Sequence, residues 1–164
     1  MLKYLYNQVV FSEIPQQITL GISISGCQIH CKGCHSRDLW EDKGTELTYS
    51  EVEKLITSNE GITCVLLLGG ERDIAQLTVI FMQIKLHFPK LKTAWYCGLD
   101  MLPIEKYYII RSLDYIKMGH YDAELGGLAS PTTNQRLYHI IHSNKEDKAE
   151  DITYQLQKKV QNDN

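Results

Sequence analysis

Between residues 18 and 118 the chain switches repeatedly between a two-residue and a helical period, and this alternation narrows the available folds more than any other feature. Ile18, Leu20, Ile22 and Ile24 alternate with Thr19, Gly21, Ser23 and Ser25, the period of a strand with one face in a core. Thr48 and Glu51 form a capping box with Leu47 and Val52 as staple. A helix therefore starts there, carries Val52, Leu55 and Ile56 on one stripe, and stops near Gly61. The continuous apolar run at 63–68 predicts a buried strand that ends at the double glycine Gly69-Gly70. A longer helix is predicted from Asp73 as cap to Phe88, just ahead of Pro89. A strand over 92–97, a helix over 104–113 and a short strand over 115–118 complete the pattern.

Strands alternating with helices predict right-handed βαβ units, hence an α/β fold with a mostly parallel sheet. A chain of 164 residues, 43% of them hydrophobic, buries one sizeable core and is too short for eight repeats, so an open sheet or a partial barrel is expected. Either arrangement gathers ligands at the carboxyl ends of the strands. Residues 1–142 are read as this single domain and 143–164 as a polar tail. Within the tail, Ile152, Leu156 and Val160 stand at helical spacing, as in a short helix packed on the domain or a solvated end.

The chemistry concentrates just after the first of these strands. Cys27, Cys31 and Cys34 lie within eight residues as Cys-x3-Cys-x2-Cys. Thiolates are soft donors that select zinc or iron–sulfur clusters, and a [4Fe–4S] cube normally takes four cysteines. A cube held by three keeps one iron free for a small molecule. Structural zinc shows a second ligand pair further along the chain. No such pair follows, since Cys64 and Cys97 are isolated, although His30 or His35 could complete a zinc site. An open cluster, a zinc site and unligated thiols in a loop are the three readings.

The cysteine spacing resembles that of the radical S-adenosylmethionine enzymes, and the wider pattern is similar to the activating proteins of anaerobic ribonucleoside-triphosphate reductase. The resemblance is carried by the strand before the cysteines, Cys31-Lys32-Gly33-Cys34-His35, the Gly69-Gly70-Glu71 turn, Trp95-Tyr96-Cys97-Gly98 and Asn134-Gln135-Arg136. It implies a partial (β/α) barrel of radical SAM type, with a [4Fe–4S] cluster on Cys27, Cys31 and Cys34. It also implies S-adenosyl-L-methionine held by Gly69, Gly70 and Glu71, with His35 or Trp40 covering the nucleobase. The implied reaction is reductive cleavage of S-adenosylmethionine and removal of a glycine hydrogen from the large subunit of the reductase, leaving a glycyl radical. Electrons would come from a separate flavodoxin or ferredoxin. A related activase acting on an enzyme of the pyruvate formate-lyase type is the alternative target, and a zinc-binding interaction module the alternative without catalysis. Two positions depart from the common pattern: Arg72 stands where many relatives have proline, and Gly33 where an aromatic often precedes the last cysteine.

The remaining features exclude more than they add. A net charge of −3 with no basic stripe gives no electrostatic footprint for nucleic acid. Five cysteines, three of them clustered, fit metal binding in a reducing compartment better than a disulfide framework. The opening Met1–Gln8 run is broken by Asn7 and Gln8 and reads as neither signal peptide nor membrane span, so a cytoplasmic protein is expected. Cys64 and Cys97 read as small buried hydrophobes. Lys117 reads as a solvent-facing lysine or as one facing a cofactor carboxylate. Asn134, Gln135 and Arg136 read as a loop facing the substrate or as a simple polar turn.

Overall fold

In the computed structural model, which describes residues 1–161 and their side chains through residue 157, the first alternating run forms strand β2 (Thr19–Ile24). It lies antiparallel beside an N-terminal strand, β1 (Lys3–Val10), which in turn pairs with the two-residue β3 (Thr45–Glu46). Helix α1 (Tyr49–Thr57) begins at the expected cap, where Thr48 Oγ1 accepts from the Glu51 N–H at 3.2 Å. Strand β4 (Cys64–Leu68) is followed by α2 (Ile74–His87), whose Asp73 cap accepts from Gln76 N–H at 3.0 Å. Then come β5 (Lys92–Tyr96), β6 (Tyr115–Met118), β7 (Arg136–Ile141), β8 (Lys148–Asp151) and α3 (Tyr154–Gln161). The Val160 side chain lies outside the described residues.

One eight-stranded sheet results, in the order β3-β1-β2-β4-β5-β6-β7-β8. The expected mostly parallel partial (β/α) barrel of radical SAM type is not what this chain forms. Only β2–β4, β4–β5 and β5–β6 are parallel; β1–β3, β1–β2, β6–β7 and β7–β8 are antiparallel, so the sheet is mixed. The alternation read from the sequence covers only the central strands. The antiparallel strands at either side were invisible to it because they lack a buried face with a clean period. Tyr6, Asn7 and Gln8 are exposed in β1, and all four residues of β8 are exposed, so backbone pairing rather than side-chain burial defines them.

Helices are also fewer than expected. Residues 104–112 form a 3-10 segment rather than an α-helix. Its apolar residues do not share one stripe: Ile109 is buried while Ile104, Tyr107 and Tyr108 are exposed, and it starts after Pro103 without a side-chain cap.

The sheet is covered on both faces. Ile22, Ile24, Val65, Leu67, Trp95 and Ile116 face α1, α2 and the 3-10 segment, meeting Val52, Leu77 and Phe81. Cys64, Leu66, Ala94 and Leu137 face the other way and are roofed by Ile14 and by Ile152 and Leu156 from the C-terminal segment. Asp114, just before β6, ties this framework together. Its carboxylate accepts from Thr93 N–H at 2.9 Å and from Lys85 Nζ at 3.0 Å, joining β5, α2 and the start of β6. Among the described residues no helix is long and apolar enough to cross a membrane.

Candidate metal centre

The cysteine loop leaves the carboxyl end of β2 and is closed at its base by backbone pairing. Cys27 N–H donates to Leu39 O at 3.0 Å and Gly26 N–H to Glu41 O at 3.1 Å. Ser25 stitches the same neck to the N-terminal strand and to the returning chain, its N–H bonding Lys3 O and its hydroxyl Lys43 O. Arg72 adds a second tie. Its guanidinium grips both Asp42 oxygens, at 3.1 and 2.8 Å, reaches Met1 O, and covers Gly26. The residue that departs from the common proline therefore braces the loop, a role its charge and fork geometry suit. The Arg72 guanidinium also holds the Asp42 carboxyl below its ordinary pKa.

Within the loop all three thiols are free and partly exposed. Cys31 and Cys34 are drawn into one tight turn, Cys34 N–H donating to Cys31 O at 3.1 Å. That turn requires glycine at 33. Its φ is +78°, and a β-carbon there would lie 2.8 Å from Ala123 Cβ, on the segment that follows β6. The aromatic often found at this position has no room, so the departure at Gly33 follows from how this loop packs. Cys34 Sγ accepts from Ser36 N–H at 3.4 Å, the kind of backbone donor that favours a thiolate. Burial raises the Cys27 pKa, offset by backbone hydrogen bonds at Ile29 and His30.

The double-glycine turn meets this loop. Gly69 and Gly70 both have positive φ, +87° and +90°. A β-carbon at Gly70 would press on Ile24 Cδ1 at 3.0 Å, where β2 ends just short of the cysteines, and on Leu77. Gly69 O accepts from Trp95 Nε1 at 2.8 Å. Glu71 turns toward the next strand end, its Oε1 accepting from Gly98 N–H at 2.6 Å, and Gly98 in turn packs under Ile29 of the cysteine loop. Gly69, Gly70, Glu71 and the three cysteines are thus brought to one end of the sheet.

His35 is exposed and lies on the other flank of the loop, its Nε2 3.2 Å from Tyr121 OH with the two rings tilted. Trp40 stacks on His30 at 4.5 Å between ring centroids, and Arg37 lies over its ring. Asn134 and Gln135 brace the segment after β6, donating to His120 O and Gly119 O, while Arg136 enters β7 and faces Asp151. Cys64 and Cys97 are fully buried, and burial pushes both thiols up to about 12. Such thiols stay protonated and are poor metal ligands.

Lys117 is not solvent-facing. It is 8% exposed, its ammonium donating to Gly119 O at 3.0 Å. The alternation Tyr115, Ile116, Lys117, Met118 placed it opposite Ile116, but that opposite face is also covered. Ile29 and Tyr121 were not singled out by sequence reasoning, and Gly98 entered only as the end of the Trp95–Gly98 motif. Nothing in their residue types marks them; only the folded proximity of three strand ends does.

The donor set fits an iron–sulfur cube. Three soft thiols sit on one glycine-turned loop with free access. Among the described residues no three His, Cys, Asp or Glu side chains gather around one point as ligands of a single ion do. A groove of about 740 Å³ lies under the 3-10 segment between Leu102, Tyr107, Tyr138 and Ile140, and no cysteine lines it.

Fold and loop thus describe an iron–sulfur protein. Residues 18–141, which include all three clustered cysteines, match the family model of the 4Fe-4S single cluster domain, and the chain belongs to that family. Neither a curated protein nor a solved structure matches it.

Proposed function

We propose that this protein is a radical S-adenosylmethionine activase, with Cys27, Cys31 and Cys34 as the ligands of its [4Fe–4S] cluster. The observation that carries the reading is the meeting of the three-cysteine loop with the Gly69-Gly70-Glu71 turn, bridged by Glu71 Oε1 to Gly98 N–H and by Ile29 on Gly98. When bound to Cys27, Cys31 and Cys34, the cluster would supply the single electron for reductive cleavage of S-adenosylmethionine, the chemistry by which a glycine hydrogen would be removed. Everything else falls to the chain.

With Cys27, Cys31 and Cys34 as its only protein ligands, a bound cluster would keep one iron open to a small-molecule ligand such as S-adenosylmethionine. The glycines at 69 and 70 let the turn close on Ile24 and Leu77 at the end of the sheet that carries the cysteine loop, and Glu71 there would supply a negative charge for the ammonium of S-adenosylmethionine. His35, paired with Tyr121, flanks the loop where a nucleobase could be covered. A cleft lined by Asp100, His120, Asn134 and Tyr138 lies beside the ends of β5 and β6. This open side suits a polypeptide substrate, here a glycine-bearing loop of the large subunit of anaerobic ribonucleoside-triphosphate reductase. With three of the five cysteines committed to one loop and the other two buried and protonated, a second cluster has no ligands among the described residues, so flavodoxin or ferredoxin delivers the electron. These partners place the reaction in the cytoplasm.

The test is anaerobic incubation of the reconstituted protein with reductant, S-adenosylmethionine and the reductase large subunit. The expected outcome is 5′-deoxyadenosine together with a glycine-centred doublet in the paramagnetic resonance spectrum of the large subunit. Nucleoside release without that doublet contradicts the target. The same doublet on a pyruvate formate-lyase type enzyme instead transfers the reading to that substrate.

A further inference from the structure

Lys117 holds a buried ammonium that makes no ion pair among the described residues. No carboxylate stands within ion-pair distance of its ammonium among the described residues, and of its three donors one is used, on Gly119 O at 3.0 Å. The Tyr96 ring, 5.7 Å away, offers a weak cation–π contact. An ammonium buried this way is costly unless something negative completes its surroundings.

Its place in the fold says what that is. Lys117 O accepts from Cys97 N–H at 2.8 Å, and the next residue, Gly98, packs under Ile29 of the cysteine loop and bonds Glu71. Burial lowers the Lys117 pKa, while the Cys97 and Glu71 side chains act in the opposite direction.

We infer that Lys117 is the fixed counter-charge of the cluster, its buried ammonium at the carboxyl end of β6, beside the strand end that Ile29 of the cysteine loop covers, favouring the reduced state. The inference rests on the cluster reading above. Three thiolates leave a cube negative, reduction adds one more negative charge, and a cation held nearby in a dry setting lowers the cost of adding it. Glu71, on the other side of Gly98, acts with the opposite sign. The pair thus sets the potential from two directions.

The test is a redox titration of anaerobically reconstituted wild type, Lys117→Met and Glu71→Gln, followed by the signal of the reduced cluster, with iron and sulfide measured on each sample. Lys117→Met keeps the apolar stem and removes the charge; Glu71→Gln can still accept from Gly98. The expected result is unchanged iron and sulfide, a more negative midpoint for Lys117→Met and a more positive one for Glu71→Gln. Equal potentials in wild type and Lys117→Met overturn the inference and leave the cluster reading standing. A wild type that takes up no iron overturns both. If Lys117→Met does not fold, Glu71→Gln decides alone, and an unshifted midpoint rejects the electrostatic control proposed here.

Discussion

Alanine at Cys27, Cys31 or Cys34 is expected to reduce bound iron from about four per chain, the content of one cube, to a small remainder, while Cys64→Ala and Cys97→Ala keep the full complement. The difference follows from where the thiols stand. The three loop thiols are accessible, and Cys34 already receives a backbone N–H. Cys64 and Cys97 are fully buried and held protonated, their pKa pushed up to about 12 by burial. If these three thiols are the ligands of the cluster, losing one would leave it too weakly held to survive purification. The loop variants should keep the fold, because the neck is closed by backbone bonds from Gly26 and Cys27 and by Arg72 on Asp42 rather than by the thiols. The two buried cysteines behave in the reverse sense. Their alanine variants keep iron but lose about 1 kcal/mol of stability, as expected for a small buried side chain replaced by a smaller one. Iron and sulfide assays with thermal melts on the five variants check both halves.

Asp114→Ala is expected to cost about 3 kcal/mol, the low end for breaking a buried ion pair, since Lys85 and Lys92 keep part of their hydration. Lys85 is 32% and Lys92 48% exposed at the side chain, against 11% for Asp114. The variant also strands the Thr93 N–H, while the Thr93 hydroxyl keeps its bond to Ser112 O. Burial raises the Asp114 pKa, but the Thr93 N–H and the Lys85 ammonium outweigh it, so the carboxyl lies below its ordinary value. The sign for stability follows. A depressed carboxyl pKa contributes stability above the unfolded value, near 4, and that contribution fades as pH falls through the folded one. Denaturant unfolding between neutral pH and pH 3 should therefore show wild type losing its advantage over Asp114→Ala in acid. Equal pH dependence of the two proteins would contradict the assignment.

How much of this could be read from the sequence depends on what holds each element. β2, α1, β4, α2 and β5 announced themselves because each buries a periodic face or carries a cap, as Thr48 and Asp73 do. β1 and β8 did not, because their residues are largely exposed and their identity lies in a neighbour's backbone; missing them turned a mixed sheet into an expected parallel one. The 104–112 segment failed for a different reason. It is apolar enough for a helix, but its burial is not on one side, so the chain tightens into 3-10 turns. In the site, the cysteines and the double glycine were legible as motifs. Their meeting was not, since it depends on Gly98 and Ile29, which are ordinary residues except in contact. Lys117 was misjudged because a two-residue period tells which side chains share a face but not whether the second face is wet.

The decisive measurement is the paramagnetic resonance spectrum of the anaerobically reconstituted, reduced protein before and after S-adenosylmethionine is added. If the proposed open corner binds S-adenosylmethionine, the cluster signal is expected to shift in shape and g values on addition. A reduced cluster whose spectrum is indifferent to S-adenosylmethionine, or a loop loaded with zinc and no iron, contradicts an open corner on this cluster.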